Sequence, residues 1–209
     1  MLEAIDIECV RGARTLFSEQ SFALRGGQLL RIAGVNGSGK TSLLRIMCGL
    51  HEPARGEVRW LGENILRMRE EFWRQLVYIG HSNAVKDDLT AAENVMVTCT
   101  LAGLTIRLEN ASAVLRKLGL AGCEMLPVRV LSQGQRRRVA LARLALSQMI
   151  PLWVLDEPFT ALDADAMNYV QELMVEHVAR GSMVVYTTHH EAQIVAAESL
   201  RIDLEPAVN

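Results

Sequence analysis

Residues 34–41, GVNGSGKT, satisfy the pattern G-x-x-x-x-G-K-[ST] at every fixed position. The chemistry open to such a run is the holding of a polyphosphate. Gly34, Gly37 and Gly39 let the backbone take turns closed to side chains. The N–H groups of a loop that also contains Val35, Asn36 and Ser38 can then converge as an anion nest. Lys40 supplies a point charge for the β- and γ-phosphates, and the Thr41 hydroxyl is a ligand for Mg²⁺. A second set of reactive residues stands further along the chain, where the apolar run Leu152–Leu155 ends in two adjacent carboxylates. Asp156 is suited to hold Mg²⁺ through water, and Glu157 to orient and activate an attacking water. Together these residues point to binding and hydrolysis of a nucleoside triphosphate.

Such groups act only if the chain positions them. Leu29, Leu30, Ile32 and Ala33 form a short apolar strand before the loop, and SLLRIMCGL after it reads as a helix with Leu43, Leu44, Met47 and Leu50 on one stripe. Residues 2–9 and 20–25 alternate as strands, and Gly26-Gly27 turns the second into Gln28–Ala33. Residues 56–60 return to that antiparallel sheet, 68–75 form a short charged helix, and 76–80 form a buried strand. The stretch 81–130 carries no strand signal. Thr90 and Glu93 there make a capping box that opens the first of two amphipathic helices, about 92–103 and 107–118. Ser132 caps a helix over 133–146, and the strand with the acid pair comes next. Residues 166–179 give an amphipathic helix closed by Gly181, MVVYTTHH a buried strand, and ESLRIDLE a last strand. The whole is an α/β core with an inserted helical segment.

Composition narrows the partners. The chain has 209 residues, 50% hydrophobic and 22% charged, with a formal net charge of −2, enough for one well-packed domain and without the basic bias of a polyanion binder. Cys9, Cys48, Cys99 and Cys123 are scattered with no CxxC pair, which is the usage of a reduced, cytosolic protein and not of a zinc site. The opening MLEAIDIECVRG lacks the basic n-region of a secretory signal. The longest apolar stretch, 139–155, is interrupted by Arg143, Ser147, Gln148 and Pro151, so no membrane span is expected. Arg136, Arg137 and Arg138 are expected to face solvent. His51 and His177 carry no motif, and His190 is expected to point away from His189.

The order GVNGSGKT, LSQGQ (131–135), LWVLDEP (152–158), ALD (161–163) and TTH (187–189) resembles that of the ATP-binding-cassette ATPases over essentially the whole chain. The resemblance implies an α/β P-loop NTPase of the ABC type, with an antiparallel β subdomain and an inserted helical subdomain at about 81–145 of a single 1–209 domain. ATP and Mg²⁺ are the cofactors it implies. The family's signature sequence falls on Leu131, Ser132, Gln133, Gly134 and Gln135, where Ser132 and the N–H groups of a helix start suit a γ-phosphate. That motif serves the ATP of a second subunit, so a head-to-tail homodimer with two ATPs at its interface is implied. Asp163 would couple the two sites, and His189 would be the switch histidine that acts beside Glu157. Three positions depart from the pattern. Gln133 replaces a glycine, which a backbone contact tolerates. His81 stands where the family has a glutamine near Mg²⁺ and is either a metal ligand or a plain loop histidine. Arg11 occupies the place of the aromatic that stacks on adenine, and a guanidinium can stack on a base; a solvated loop arginine is the alternative.

A narrower likeness lies in LFSEQSFALRGGQLLRIAGVNGSGKTSLLRIMCGL, YIGHSNAVKDDLTAAENV, VALARLAL and VVYTTH. These look like the haem-exporter ATP-binding subunits of cytochrome c maturation, and His81 after YIG is part of that likeness. It implies a peripheral motor on the cytoplasmic face of the bacterial inner membrane, bound to integral, haem-handling membrane subunits through the helical subdomain and the loop near 81–90. ATP hydrolysis would drive haem export or the release of a haem-loaded chaperone. The chain has no CxxCH and no residue marked as an axial ligand, so no haem site of its own is expected, nor a nucleic-acid partner. The alternatives are a transport ATPase for another cargo, such as a lipid or drug, and a cassette acting on ribosomes or DNA. Cassettes of the last kind generally need tandem cassettes or coiled-coil arms, and a nucleotide kinase has no use for LSQGQ.

Overall fold

In the computed structural model the described residues are 1–188, 194 and 198–205. The chain divides into two compact units, one of residues 1–78, 150–157 and 177–209, the other of 79–149 and 158–176.

The first unit contains two sheets. Strands β1 (Leu2–Arg11), β2 (Arg14–Leu24), β4 (Arg55–Trp60) and β5 (Glu63–Asn64) form an antiparallel sheet in the order β2-β1-β4-β5. The second sheet runs β6-β7-β8-β3-β9, with β6 at Leu76–Ile79, β7 at Leu152–Leu155, β8 at Met183–Thr187, β3 at Gln28–Ala33 and β9 at Glu198–Asp203. Its β7–β8, β8–β3 and β3–β9 pairs are parallel. Strands buried on both faces read as unbroken apolar runs rather than alternations. That is the case for LWVL of β7 and MVVYT of β8, each buried throughout.

Helix α1 (Lys40–Met47) buries Leu43, Leu44 and Met47 in a core shared with Leu2, Ile7 and Phe17 of the antiparallel sheet and Leu30, Ile32, Val154 and Val185 of the parallel one. Leu50, expected on the same stripe, lies past the helix end and is exposed, because Gly49 turns the chain at a φ of +67°. The charged segment forms α2 (Arg69–Trp73), anchored by the fully buried Phe72, whose ring meets Trp60 at 5.6 Å.

In the second unit, α3 (Ala91–Leu101), α4 (Leu108–Lys117) and α5 (Gln133–Leu146) pack together, and α6 (Ala164–Ala179) begins there. Thr90 and Glu93 close the capping box at α3 reciprocally: Thr90 Oγ1 accepts from the Glu93 N–H, and Glu93 Oε2 from the Thr90 N–H. Ser132 does the same for α5, with Gln135 as its partner. No helix among the described residues is long and apolar enough to cross a membrane.

Candidate active site

The phosphate loop leaves β3 and enters α1 through Gly39, whose φ is +101°. A side chain there would be strained by the left-handed backbone, and its Cβ would lie 2.8 Å from the Phe17 ring. Gly34 and Gly37 also hold positive φ, +146° and +81°. No side chain caps α1, so its first N–H groups and positive end are available to an anion. Lys40 is buried and donates from Nζ to the carbonyls of Gly34 and Val35 at 2.8 and 3.0 Å, which bends its ammonium back over the loop. The Ser38 hydroxyl is buried with no hydrogen-bond partner among the described residues. Open donors, a curled lysine and an orphaned hydroxyl in one cradle fit a phosphate chain.

The acids come from β7, and all three neighbouring elements end at the same place. β8 pairs with β7 on one side and β3 on the other, so Asp156, Thr187 and the phosphate loop emerge together at the carboxyl ends of parallel strands, where open α/β sheets bind ligands. Asp156 is almost fully buried. Its Oδ2 accepts from Thr41 Oγ1 at 2.9 Å and its Oδ1 from Thr187 Oγ1 at 2.8 Å. Its field reaches the surroundings. Burial first, and this carboxylate second, push the Cys48 thiol up, and burial raises the Tyr78 hydroxyl with the carboxylate adding to the effect.

Thr41 and Asp156 in contact suit Mg²⁺, which uses one or two protein oxygens and takes its other ligands from water and phosphate. Among the described residues no group of three or more His, Cys, Asp or Glu side chains could hold a metal ion by itself. Glu157 is buried and sits at a φ of +52°, a conformation that costs a non-glycine residue about 1–3 kcal/mol and persists only where the surroundings hold it. The Thr187 hydroxyl accepts the Glu157 N–H at 2.9 Å. Sequence reasoning missed Thr187. The available signal was a hydroxyl residue closing the apolar run MVVY.

The signature residues belong to the second unit. Leu131 is buried, while Ser132 and Gln133 are exposed at the start of α5. Gly134 is required on different grounds: a Cβ there would fall 2.7 Å from the Ala161 carbonyl oxygen. Gln133, by contrast, opens onto a pocket of about 490 Å³ lined by residues 81–87 and Arg136, so the glycine-to-glutamine departure costs no packing. His81 is exposed and lines this pocket, in a different unit from Thr41 and Asp156. Asp163 Oδ1 caps α6 by accepting the Ala166 N–H. Arg11 is exposed at the end of β1, by the turn into β2. His189 and His190 lie outside the described residues.

The three arginines just after the signature do not face solvent as expected. Arg137 is buried and donates to the Gly80 carbonyl at 2.9 Å and to Asn83 Oδ1 at 3.3 Å. Arg136 pairs with Asp87 and donates to the carbonyls of Leu131 and Arg129. Arg138 pairs with Asp163 at 2.8 Å and reaches the Leu118 carbonyl. One turn of α5 therefore ties down three loops, each with the fork of a guanidinium. A charge run read along the sequence gives no sign of such partners, which lie 5 to 57 residues away.

Residues 17–160 match the model of the ABC transporter family. The chain belongs to that family. It is an ABC-type ATPase, and the cassette likeness extends over nearly all of it. The cytochrome c biogenesis ATP-binding export protein CcmA of Nitrosospira multiformis is 49% identical over 203 residues, 97% of this chain and 98% of that protein. CcmA of Nitrosomonas europaea is 50% identical over 191 residues, 91% of this chain and 89% of that one. Among solved structures, the ATP-binding subunit of an ABC transporter matches with a TM-score of 0.79 at 27% identity, covering 90% of this cassette and 79% of that chain. A dimeric cassette in a post-hydrolysis state, bound to ADP and phosphate, has the same fold, with a TM-score of 0.83 at 22% identity over 98% of this chain and 97% of that one.

Proposed function

We propose that this ATPase powers an export complex for cytochrome c biogenesis, driving either haem export or the release of a haem-loaded chaperone. The observation that carries the reading is the nearly full-length likeness to the two cytochrome c biogenesis export proteins. In this reading the loop from Gly34 to Thr41 holds the triphosphate, and Lys40 leaves the carbonyls it now contacts to take up phosphate charge. Thr41 and Asp156 hold Mg²⁺, with His81 a further candidate ligand. Bound Mg²⁺ supplies charge neutralisation at the β- and γ-phosphates. Glu157 orients and activates the attacking water beside His189, and Arg11 lies against the adenine.

The signature, Leu131 to Gln135, completes the site of a second copy, and Asp163 links the two sites. The chain then works as one cassette domain whose segment 81–145 is the helical subdomain. It docks peripherally, at the cytoplasmic face of the inner membrane, on integral subunits that handle the haem. No haem ligand is assigned to this chain itself.

The test is capture of the Glu157→Gln protein from detergent-solubilised membranes with Mg-ATP, reading the co-purifying subunits and the haem Soret band. Polytopic subunits carrying haem are expected. Polytopic subunits without haem, from a strain whose c-type cytochromes mature normally in the absence of this protein, would retain the transporter and discard the cargo. Ribosomes or DNA in their place would overturn both.

A further inference from the structure

We infer that Thr187 is the positioning residue that sets both catalytic acids at once, an inference that rests on the roles proposed for Asp156 and Glu157. A hydroxyl has one proton to give and two lone pairs to receive with. Thr187 gives its proton to Asp156 Oδ1 at 2.8 Å and receives the Glu157 N–H at 2.9 Å. The threonine is completely buried, and its two partners nearly so, so neither bond is shared with solvent. The strand places it where this is possible: Thr187 is the last residue of β8, opposite Ile32 of β3 and one step beyond the Tyr186–Leu155 pair.

The reaction is affected in two ways. Asp156 is gripped on both oxygens, by Thr41 on one and Thr187 on the other, which fixes the carboxylate plane toward the phosphate loop. Glu157 is held through its backbone in a left-handed conformation it would otherwise leave. The Glu157 side chain is therefore aimed by a residue 30 positions away. Thr187 touches neither nucleotide nor water in this role. Its effect is on alignment, where small displacements of a reacting group are costly.

The substitution that isolates the hydroxyl is Thr187→Val, which keeps the branched shape and the strand preference. Thr187→Ser keeps the hydroxyl and loses the methyl. Should valine fold poorly, Thr187→Cys keeps a small polarisable group with only a weak donor. Each is measured in the complex with its membrane subunits for ATP turnover, alongside Mg-ATP affinity and thermal melting of the purified chain.

For Thr187→Val, kcat is expected to fall by about tenfold or more while KM and Mg-ATP affinity stay within about twofold, with serine restoring most of the rate. Wild-type turnover in the valine variant overturns the role. So does joint loss of melting temperature and nucleotide binding in both the valine and serine variants, which would make Thr187 a packing residue only. A Glu157→Gln protein run in parallel separates the two readings. Stalled turnover there with normal turnover in Thr187→Val sinks the positioning role alone, whereas normal turnover in Glu157→Gln sinks the base assignment beneath it.

Discussion

Lys40 and His177 are both buried bases, and their surroundings differ. Lys40 donates to two loop carbonyls, hydrogen bonds that the proposed function has it exchange for phosphate oxygens. Lys40→Ala removes a charged donor worth about 1.5–3 kcal/mol. ATP affinity is expected to fall by more than about tenfold in a nucleotide titration, with little change in the melting temperature of the nucleotide-free chain. His177, by contrast, stacks on Trp153 at 3.7 Å and 10°, fully enclosed. Burial first, and Arg180 second, bring its pKa down from 6.5 to about 4. The unfolded chain therefore binds this proton more readily than the folded one. Stability from the neutral ring is complete above pH 6.5 and is lost as the pH falls from there toward about 4. The loss is on the order of 3 kcal/mol. His177→Phe keeps a ring on Trp153, and denaturant unfolding of that variant is expected to show a shallower decline over this pH range than the wild type.

At the level of elements, α3 and α5 start with the same device and differ in the turn beyond it. Each has a reciprocal capping box, so Thr90→Ala is expected to cost about 1 kcal/mol by loss of the cap. α5 continues into Arg136, Arg137 and Arg138, which fasten the loop after β6, residues 87 and 129, and Asp163 to one helical turn. Exposed ion pairs contribute little, and Arg136–Asp87 is of that kind, since Asp87 is largely in water. Arg137 is different because its partners are a carbonyl and an amide oxygen in a buried setting. Arg137→Ala strips those acceptors of their donor, and chemical denaturation is expected to show a loss of about 2–3 kcal/mol, larger than for Thr90→Ala. Equal losses in the two variants would mean that the arginine is no more than a solvated charge.

For the whole molecule, the signature at α5 and the phosphate loop lie in separate compact units of the chain. The role proposed for the signature, completing the site of another copy, predicts a visible change of mass. With hydrolysis blocked and binding intact, the Glu157→Gln protein is expected to accumulate as an ATP-bound dimer by light scattering in the presence of Mg-ATP, and to dissociate when ATP is withdrawn. A protein that stayed monomeric and turned over ATP at the wild-type rate would refute the role given to Glu157. The linkage is mass action: nucleotide that binds the dimer more tightly than the single chain pulls the equilibrium toward it.

Much of this molecule is legible in its residues because the relevant rules are local. Apolar stripes, runs and caps set α3, α5 and β7 within a residue or two of their observed limits, since helix and strand periods act over a few neighbours. The loop 34–41 and the acid pair are equally legible as a candidate site, because binding a phosphate chain demands glycines, a lysine and a hydroxyl in fixed order. Tertiary structure decided what depends on residues far apart in the chain. The Thr187 hydroxyl between Asp156 and Glu157, the burial of Arg137 against Gly80 and the Trp153–His177 stack each join positions 24 to 57 residues apart. A threonine that ends a strand or an arginine in a charge run looks the same in sequence whether it meets water or a buried partner. Which of the two it meets is settled only when β8 is seated between β3 and β7, and when α5 is packed among its loops.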